Sequence, residues 1–383
     1  MSTDSVPSYT TKHVLLDAAD VAAMVEATSS GDLSGTASTV QRYERALASA
    51  FGARFAVACS SGTAAIHLAL LALDIGTGDE VIVPATAPPM TALPILAVGA
   101  RPIFADVASP ASFALDLADV ERKLSPATKA AISVPMWGYP ADGALLADAC
   151  RAWGVALIED AAQAHGTRVS GRLAGTQGTI GTFSTHARKL MTTGEGGFCL
   201  TYRPELAARL YQLRNIGQPA RLDGPTGIPD GLFGLAFGLN YKLAAPLAAL
   251  GTAQLTKLDQ RLAARRRVAN RLLAGLRNVA GLTPLPVADG GQPNHYALVA
   301  TVAGDAAEVS RRLAVAGVVS DTTRYGYQPL YHLPVFAAGQ GRTCDHAERL
   351  CASIVTIPCH EALTTRDQDR IVETCQQVMA QWA

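Results

Sequence analysis

The sequence predicts an α/β protein with a large domain, built on a mostly parallel central sheet flanked by helices, and a smaller α+β C-terminal domain. Two observations favour the large domain. Apolar runs of strand length, such as residues 80–84 (EVIVP) and 154–160 (GVALIED), alternate with segments of helical apolar spacing. The runs are continuously apolar, which is typical of parallel strands buried on both faces. Beyond residue 200 this alternation ends, which indicates a second architecture.

The predicted elements of the large domain follow one another along the chain. Residues 17–31 and 38–51 have helical spacing, and Gly52 stands where a helix ends. The remaining expected elements are strands at 55–59, 80–84, 101–107, 129–136 and 154–160, and helices at 64–73, 141–153 and 205–215.

The C-terminal part begins with a long helical stretch, 246–278, which we expect to be one helix between two domains. Its further elements are expected strands at 296–302 and 318–323, and helices at 306–315 and from 365 to the end. Residues 219–229 are rich in Gly, Pro and Asp and indicate a loop. We therefore predict a large domain at 1–250, with the N-terminal segment included, and a small domain at 251–383.

Composition excludes several classes of function. The 383 residues have a formal net charge of +0, so we expect no nucleic-acid partner, and the basic run 265–267 is interpreted as a solvated helix face. Seven cysteines without a CxxC pair argue against a disulfide framework or a zinc site. The N-terminus lacks the pattern of a signal peptide, and no apolar run approaches the roughly 18 residues of a membrane helix. These features predict a soluble, cytoplasmic protein without metal or membrane contact.

A first candidate site is the stretch SSGTAA at 60–65, where a strand ends and a helix begins. The unpaired N–H groups and the dipole of a helix start favour an anion, and the hydroxyls of Ser61 and Thr63 add donors. The alternative is that these residues only cap the helix.

A second candidate is Asp160, at the C-terminal end of the strand in IEDAAQAHG (158–166). Ligands of open α/β sheets lie beyond that end, and a carboxylate there holds a ring nitrogen in its protonated form. The alternative is that Asp160 caps a following helix.

The third candidate is Lys189, one of only six lysines, in TFSTHARKLMTTGEGG (182–197). Burial or a neighbouring cation such as Arg188 lowers the pKa of an amine and frees it for Schiff-base chemistry. Ser184 is placed to contact a phosphate, and the glycines at 194–197 permit close backbone approach. The alternative is a salt-bridged lysine beside a turn. Together, a phosphate cradle, a carboxylate for a ring nitrogen and a Schiff-base lysine are what pyridoxal 5'-phosphate requires.

The chain resembles the DegT/DnrJ/StrS family of sugar and cyclitol aminotransferases, which are pyridoxal-phosphate enzymes of fold type I. The resemblance covers nearly the whole length. The blocks that carry it are 60–84, 158–166, 183–197, 237–259, 329–336 and 347–364.

The resemblance implies a role for each matching residue. Lys189 matches the Schiff-base lysine and Asp160 the partner of the pyridine nitrogen. The other implied cofactor contacts are Ser61, Gly62, Thr63 and Ser184 at the phosphate, Gln163 near the 3'-hydroxyl, and Asn240 reaching the phosphate of the neighbouring subunit. The last contact implies a homodimer with shared active sites, or a tetramer built from such dimers.

The resemblance also implies an activity. The enzyme is expected to move an amino group from glutamate or glutamine to the ketone of a sugar, cyclitol or related small molecule, in specialised-metabolite pathways such as antibiotic biosynthesis. A non-sugar carbonyl acceptor, a cofactor-dependent lyase or dehydratase, and a regulatory protein on the same scaffold remain alternatives. Relatives that perform dehydration have histidine at the lysine position, so Lys189 favours amine transfer.

The sequence departs from the family pattern near the cofactor. Pro88 stands where an aromatic residue usually stacks on the cofactor ring, Lys242 replaces a common arginine, and Thr185 replaces a common aromatic residue. These changes leave the acceptor open. The candidate substrate contacts are His186, Tyr325, Tyr331 and His332.

Overall fold

In this computed structural model the described residues are 8–11, 15–31, 33–141, 143–219, 236–339 and 343–382. The predicted loop at 219–229 therefore lies outside the described residues, except for its first position. The strands are β1 (Phe55–Cys59), β2 (Glu80–Pro84), β3 (Arg101–Ala105), β4 (Thr128–Ser133), β5 (Ala156–Asp160), β6 (Arg168–Val169), β7 (Arg172–Leu173), β8 (Ile180–Ser184), β9 (Gly197–Thr201), β10 (Leu282–Pro284), β11 (Gly291–Gln292), β12 (Leu298–Val302) and β13 (Ile354–Ile357). The helices are α1 (Ala18–Ser29), α2 (Ser38–Phe51), α3 (Gly62–Ala72), α4 (Pro89–Ala97), α5 (Leu117–Lys123), α6 (Gly143–Trp153), α7 (Pro204–Arg214), α8 (Ala245–Leu255), α9 (Leu258–Leu276), α10 (Ala306–Val315), α11 (Asp321–Tyr325), α12 (Asp345–Ser353) and α13 (Thr365–Ala380).

The central sheet has seven strands in the order β1-β9-β8-β5-β4-β2-β3. The five strands from β8 to β3 are parallel to one another, and β9 is antiparallel to both of its neighbours. This confirms the predicted mostly parallel sheet. All five residues of β2 are buried, because a parallel strand in the middle of such a sheet is covered on both faces.

The arrangement of strands brings several loops to one edge of the sheet. Because β1 and β8 both run antiparallel to β9, β1 points in the same direction as the parallel strands. The carboxyl ends of β1, β2, β4, β5 and β8 therefore meet at one edge, where ligands of open α/β sheets bind. Asp160 at the end of β5 pairs with Thr182 of β8, two residues before Ser184.

The C-terminal part has the expected α+β architecture. A three-stranded antiparallel sheet, β10-β12-β13, packs with α9, α10 and α13 around an apolar core of its own. The described N-terminal residues lie on this part, since the N–H of Tyr9 donates to the carbonyl of Gly317 at 2.7 Å. The division at residue 250 stays a prediction.

The prediction of one continuous helix at 246–278 is wrong. The helix breaks between α8 and α9 at Thr256 and Lys257. The two halves serve different cores, because α8 packs against α1 and α2 while α9 packs against α13 and β10. The amine of Lys257 pairs at the break with Asp17 at 2.7 Å and Asp20 at 2.8 Å, which ties α1 to the junction.

Two further expectations are wrong for tertiary reasons. Residues 318–323 do not form a strand; Val318 makes a single bridge with Tyr9, and α11 begins at Asp321. Arg265 is not on a solvated face. It is 3% exposed, and its guanidinium pairs with Glu361 at 2.8 Å. A buried guanidinium needs such a partner, and no local pattern reveals it.

All seven cysteines are free and buried. In the described part of the chain, no helix is both long enough and apolar enough to cross a bilayer.

Candidate active site

The start of α3 lies against the end of β8. Ser61 caps the helix by accepting a hydrogen bond from the N–H of Ala64 at 3.0 Å, so the capping interpretation of its hydroxyl is confirmed. A Cβ on Gly62 would lie 2.6 Å from the Cβ of Ser184, so glycine is needed for this close approach. Helix geometry leaves the N–H groups of Gly62 and Thr63 without intrahelical acceptors. Beside the Ser184 hydroxyl they form a cradle suited to an anion such as phosphate.

Asp160 is 5% exposed at the end of β5. Its Oδ2 accepts a hydrogen bond from Thr91 at 2.5 Å, and its Oδ1 accepts one from the N–H of Ala162 at 3.2 Å. Burial raises the pKa of Asp160, while the Thr91 hydrogen bond and the charge of Lys189 act to lower it. The helix-cap alternative is wrong, because turns rather than a helix follow β5.

The preceding carboxylate, Glu159, has a different role. It accepts hydrogen bonds from the N–H groups of Gly175, Gln177 and Gly178 at 2.9, 2.7 and 2.6 Å. Successive side chains of a strand point to opposite faces, so one acid holds a neighbouring loop while the other faces the site.

The Lys189 amine lies beside the ring of Tyr296, with Nζ 5.4 Å from its centroid, and within range of the charges of Asp160 and Asp321. Burial lowers the pKa of Lys189 to about 8, and the charge of Arg188 contributes to this decrease, as predicted. The carboxylates of Asp160 and Asp321 oppose it. Among the described residues Lys189 forms no salt bridge, which leaves the salt-bridged alternative without support. An amine with this pKa is available as a base or nucleophile near neutral pH.

The threonines and glycines after Lys189 hold its turn in place. The hydroxyls of Thr185 and Thr193 are 2.6 Å apart, and Thr193 donates to the carbonyl of Glu195 at 2.7 Å. Gly196 has a φ of 156°, and a Cβ there would lie 2.4 Å from the Thr193 hydroxyl. At Gly196 the turn is therefore packed too tightly for a larger residue, and the threonine contacts hold the turn that carries the lysine.

Gln163 is held at the same edge by backbone contacts. Its Oε1 accepts a hydrogen bond from the N–H of Trp137 at 2.7 Å, and its carbonyl accepts one from Asn294 at 2.9 Å. Trp137 has a φ of 49°, a strained value for a residue that is not glycine. Gly138 beside it allows Asn294 to approach the backbone.

Pro88 lies at the start of α4, three residues before Thr91, and is half-buried. Since Thr91 contacts Asp160, the segment that carries Pro88 is part of the site. Its contact with a cofactor ring stays a prediction.

The candidate substrate contacts fall into two groups. The Tyr325 ring lies beside Arg188, the residue that precedes Lys189, with its centroid 5.7 Å from Cζ of Arg188. The Tyr331 hydroxyl instead donates to Glu348 at 2.6 Å, and His332 lies 3.1 Å from the same carboxylate. The structure thus gives Tyr331 and His332 a structural partner on α12, and a substrate role for them stays a prediction.

His186 is also held by protein groups. Its Nδ1 accepts a hydrogen bond from the N–H of Arg188 at 3.3 Å, and its Nε2 lies 3.7 Å from Glu195. These contacts favour the structural interpretation of His186.

Asn240 is exposed in the single chain and pairs through its backbone with Asn215. The next residue, Tyr241, accepts a hydrogen bond at its carbonyl from the N–H of Ser60 at 2.9 Å. The contribution of Asn240 to a partner's site stays a prediction.

Sequence reasoning missed three residues that contact the site, namely Thr91, Tyr296 and Asp321. Asp321 is buried, and both of its carboxylate oxygens accept from the hydroxyl of Thr11, at 2.8 and 2.9 Å. Burial raises the pKa of Asp321, and the charges of Arg324, Arg188 and Lys189 oppose the increase. No local motif marks these residues, because long-range packing brings them to the lysine.

Comparisons with known proteins identify the family and the solved structures that the chain is similar to. The family model of the DegT/DnrJ/EryC1/StrS aminotransferases matches residues 15–376. GDP-perosamine synthase of Caulobacter vibrioides is 32% identical over 345 residues, which cover 89% of this chain and 90% of that protein. L-glutamine:2-deoxy-scyllo-inosose aminotransferase of Streptoalloteichus tenebrarius is 34% identical, with coverage of 88% and 82%.

Among solved structures, the aminotransferase TlmJ from Streptoalloteichus hindustanus superposes with a TM-score of 0.89 and 31% identity. The match covers 98% of this chain and 99% of that one. The predicted fold class is therefore confirmed.

Proposed function

Because the chain belongs to the DegT/DnrJ/EryC1/StrS aminotransferase family, whose members depend on pyridoxal phosphate, we propose that it moves an amino group from glutamate or glutamine to the ketone of a sugar, cyclitol or related small molecule. The observation that carries this proposal is the convergence of Lys189, Asp160 and the Gly62–Ser184 cradle at one edge of the sheet. Named relatives act on both sugar and cyclitol acceptors, so both classes are retained.

The residues present fit pyridoxal phosphate. The glycine-dependent approach of α3 to Ser184 leaves N–H groups and a hydroxyl for a phosphate, and Gln163 is held beside the same edge. The buried carboxylate of Asp160 suits a protonated ring nitrogen, and the amine of Lys189 suits covalent attachment. When bound, the cofactor supplies an electron sink that stabilises negative charge at the carbon that exchanges its amino group.

Three residues of the chain would then have separate roles in the reaction. Asp160, held by Thr91, keeps a positive charge on the ring nitrogen favourable. The Lys189 amine would accept and return a proton at the reacting carbon, a role for which a pKa near the working pH is suited. The Tyr296 ring lies beside the amine and would limit the access of water from that side.

We further propose that the enzyme works as a homodimer, or as a tetramer of such dimers, in specialised-metabolite biosynthesis. Exposed apolar side chains support a dimer. Val21 and Val25 are exposed on one face of α1, and Phe237 is exposed near Asn240. Apolar exposure of this kind is typical of subunit contacts. The light-scattering mass of the purified enzyme tests this proposal, and a monomer would contradict it.

The activity is tested in two steps. The enzyme is incubated with pyridoxal phosphate, reduced with borohydride and digested, and mass spectrometry should find the cofactor on the Lys189 peptide. Half-reactions with glutamate or glutamine, followed by a panel of keto sugars and keto cyclitols, then identify the substrates. Lys189→Ala should abolish both labelling and transfer, and Asp160→Asn should retain labelling but lose most of the rate. Release of keto acid without aminated product would favour the lyase alternative.

A further inference from the structure

Two arginines share one tyrosine ring beside Lys189. The Cζ atoms of Arg188 and Arg324 each lie 5.7 Å from the centroid of the Tyr325 ring. Tyr325 is 54% exposed at the end of α11, and Arg188 directly precedes Lys189 in the chain. The three side chains thus form a positively charged group at the solvent side of the lysine, which we name the Arg188–Tyr325–Arg324 clamp.

No described carboxylate lies in direct contact with the guanidinium groups of this clamp. Neither guanidinium forms an ion pair with a described residue. The carboxylate that acts on both arginines is Asp321, which is buried and already accepts the Thr11 hydroxyl. The amine of Lys189 adds further positive charge on the inner side. Because a guanidinium stays protonated at all working pH values, the positive charge is permanent and suits an anionic ligand.

We propose that Arg188, Tyr325 and Arg324 bind an oxyanion of a substrate at the entrance to the Lys189 site. Guanidinium groups bind carboxylates and phosphates through paired hydrogen bonds, and an aromatic face holds their planes in a fixed orientation. The nature of the two candidate ligands rests on the proposed function. One is the α-carboxylate of the amino donor, and the other is the diphosphate of a nucleotide-linked acceptor.

The two sources predict different use of the arginines. An α-carboxylate is joined to the carbon that carries the amino group, so it must be held close to Lys189, where Arg188 lies. The charge of Arg188 already acts on the Lys189 amine. A diphosphate is longer, carries more charge and reaches outward, so it engages Arg324 as well as Arg188.

Calorimetric binding with non-reacting ligands tests the proposal on the full-length enzyme loaded with its cofactor. Maleate represents the carboxylate, and dTDP and GDP represent the diphosphate. Arg188→Gln should weaken binding of at least one ligand class by about tenfold or more, since a charged, paired hydrogen bond is lost. Weaker maleate binding assigns the clamp to the donor. Weaker nucleotide binding, in Arg188→Gln and Arg324→Gln alike, assigns it to the acceptor.

Matched variants separate the clamp from general effects of charge and folding. Arg271→Gln removes an exposed arginine that pairs with Asp369 on α13, and it should leave all affinities unchanged. Tyr325→Ala should weaken binding more than Tyr325→Phe, because the ring face and not the hydroxyl orients the guanidinium groups. Thermal unfolding of each variant verifies that it is folded.

Two outcomes overturn the proposal. One is affinity for both ligand classes within about twofold of wild type in Arg188→Gln and Arg324→Gln. The other is the absence of binding of either class to the wild-type enzyme. The binding measurement does not depend on amine transfer. If the wild-type enzyme does not transaminate but Arg188→Gln still weakens anion binding, the proposed clamp is supported although the proposed function fails. If the wild-type enzyme transaminates but both arginine variants bind both ligand classes with unchanged affinity, the clamp is contradicted while the proposed function stands.

Discussion

Thr91 donates a 2.5 Å hydrogen bond to Asp160, and the two residues belong to different elements of the large domain. Thr91 lies in the first turn of α4, after β2, whereas Asp160 ends β5, and β4 separates these strands in the sheet. A hydroxyl that donates to a buried carboxylate favours its ionised form. The contact therefore offsets part of the burial that raises the pKa of Asp160.

Replacement of Thr91 by valine should raise the pKa of Asp160, because the hydrogen bond that lowers it is removed. The carboxylate is then ionised only at higher pH, so the acidic limb of the kcat profile should move to higher pH. The rate at neutral pH should fall by about tenfold, as expected for loss of a hydrogen bond to a charged group. Thr91→Ser keeps the hydroxyl and serves as the control. An unchanged profile in Thr91→Val would remove Thr91 from the site.

The pKa of Lys189 predicts a pH-dependent stability in the cofactor-free enzyme. The pKa is about 8 in the folded chain and near the ordinary lysine value of 10.5 when unfolded, so the unfolded state binds the extra proton between these values. The free energy of unfolding should therefore rise as the pH increases from about 8 to about 10.5. Urea titrations of wild type and Lys189→Met should show this increase only in the wild type. Parallel curves for the two proteins would contradict a depressed pKa.

Asp321 should control the proton affinity of Lys189. Its negative charge acts to raise the pKa of the amine, so Asp321→Asn should lower the pKa of Lys189 further below its ordinary value. The pH dependence of lysine acetylation in the cofactor-free enzyme, followed by mass spectrometry, measures this pKa directly. Asp369→Asn, at an exposed ion pair with Arg271, provides the control. A labelling curve identical to wild type would show that Asp321 does not act on the lysine.

Gly62→Ala should weaken cofactor binding by about tenfold or more, because the new methyl group displaces the start of α3 from Ser184. Gly52→Ala is the matched comparison. Gly52 has a φ of 65° with no atom near the added Cβ, so its substitution should cost about 1 kcal/mol of stability and leave cofactor affinity unchanged. Cofactor titration and urea unfolding measure the two effects. Equal cofactor affinity in Gly62→Ala and wild type would exclude the cradle.

The regular elements of the large domain follow from local patterns in the chain. The helical spacing at 38–51 is confirmed as a helix, which ends at Phe51 with Gly52 in the left-handed region, since apolar spacing and a terminal glycine are both local signals. The same signals run without interruption through 246–278, although the helix breaks there. The break exists because its two halves pack against separate cores, and periodicity carries no information about which core a helix face meets.

The residues of the site likewise fall into those that local sequence reveals and those that only tertiary packing reveals. Lys189, Asp160 and Gly62 stand in short motifs whose chemistry can be recognised from the sequence, because each motif specifies a turn or a strand end within a few residues. Thr91 and Asp321 gain their roles only where the sheet order and the docking of the C-terminal part bring them to the lysine. A threonine in a helix or an aspartate at the start of a short helix has the same local sequence signal whether or not it contacts a site. Local sequence therefore specifies which groups react, while long-range packing sets the charges that surround them, because electrostatic interactions depend on distance in space and not along the chain.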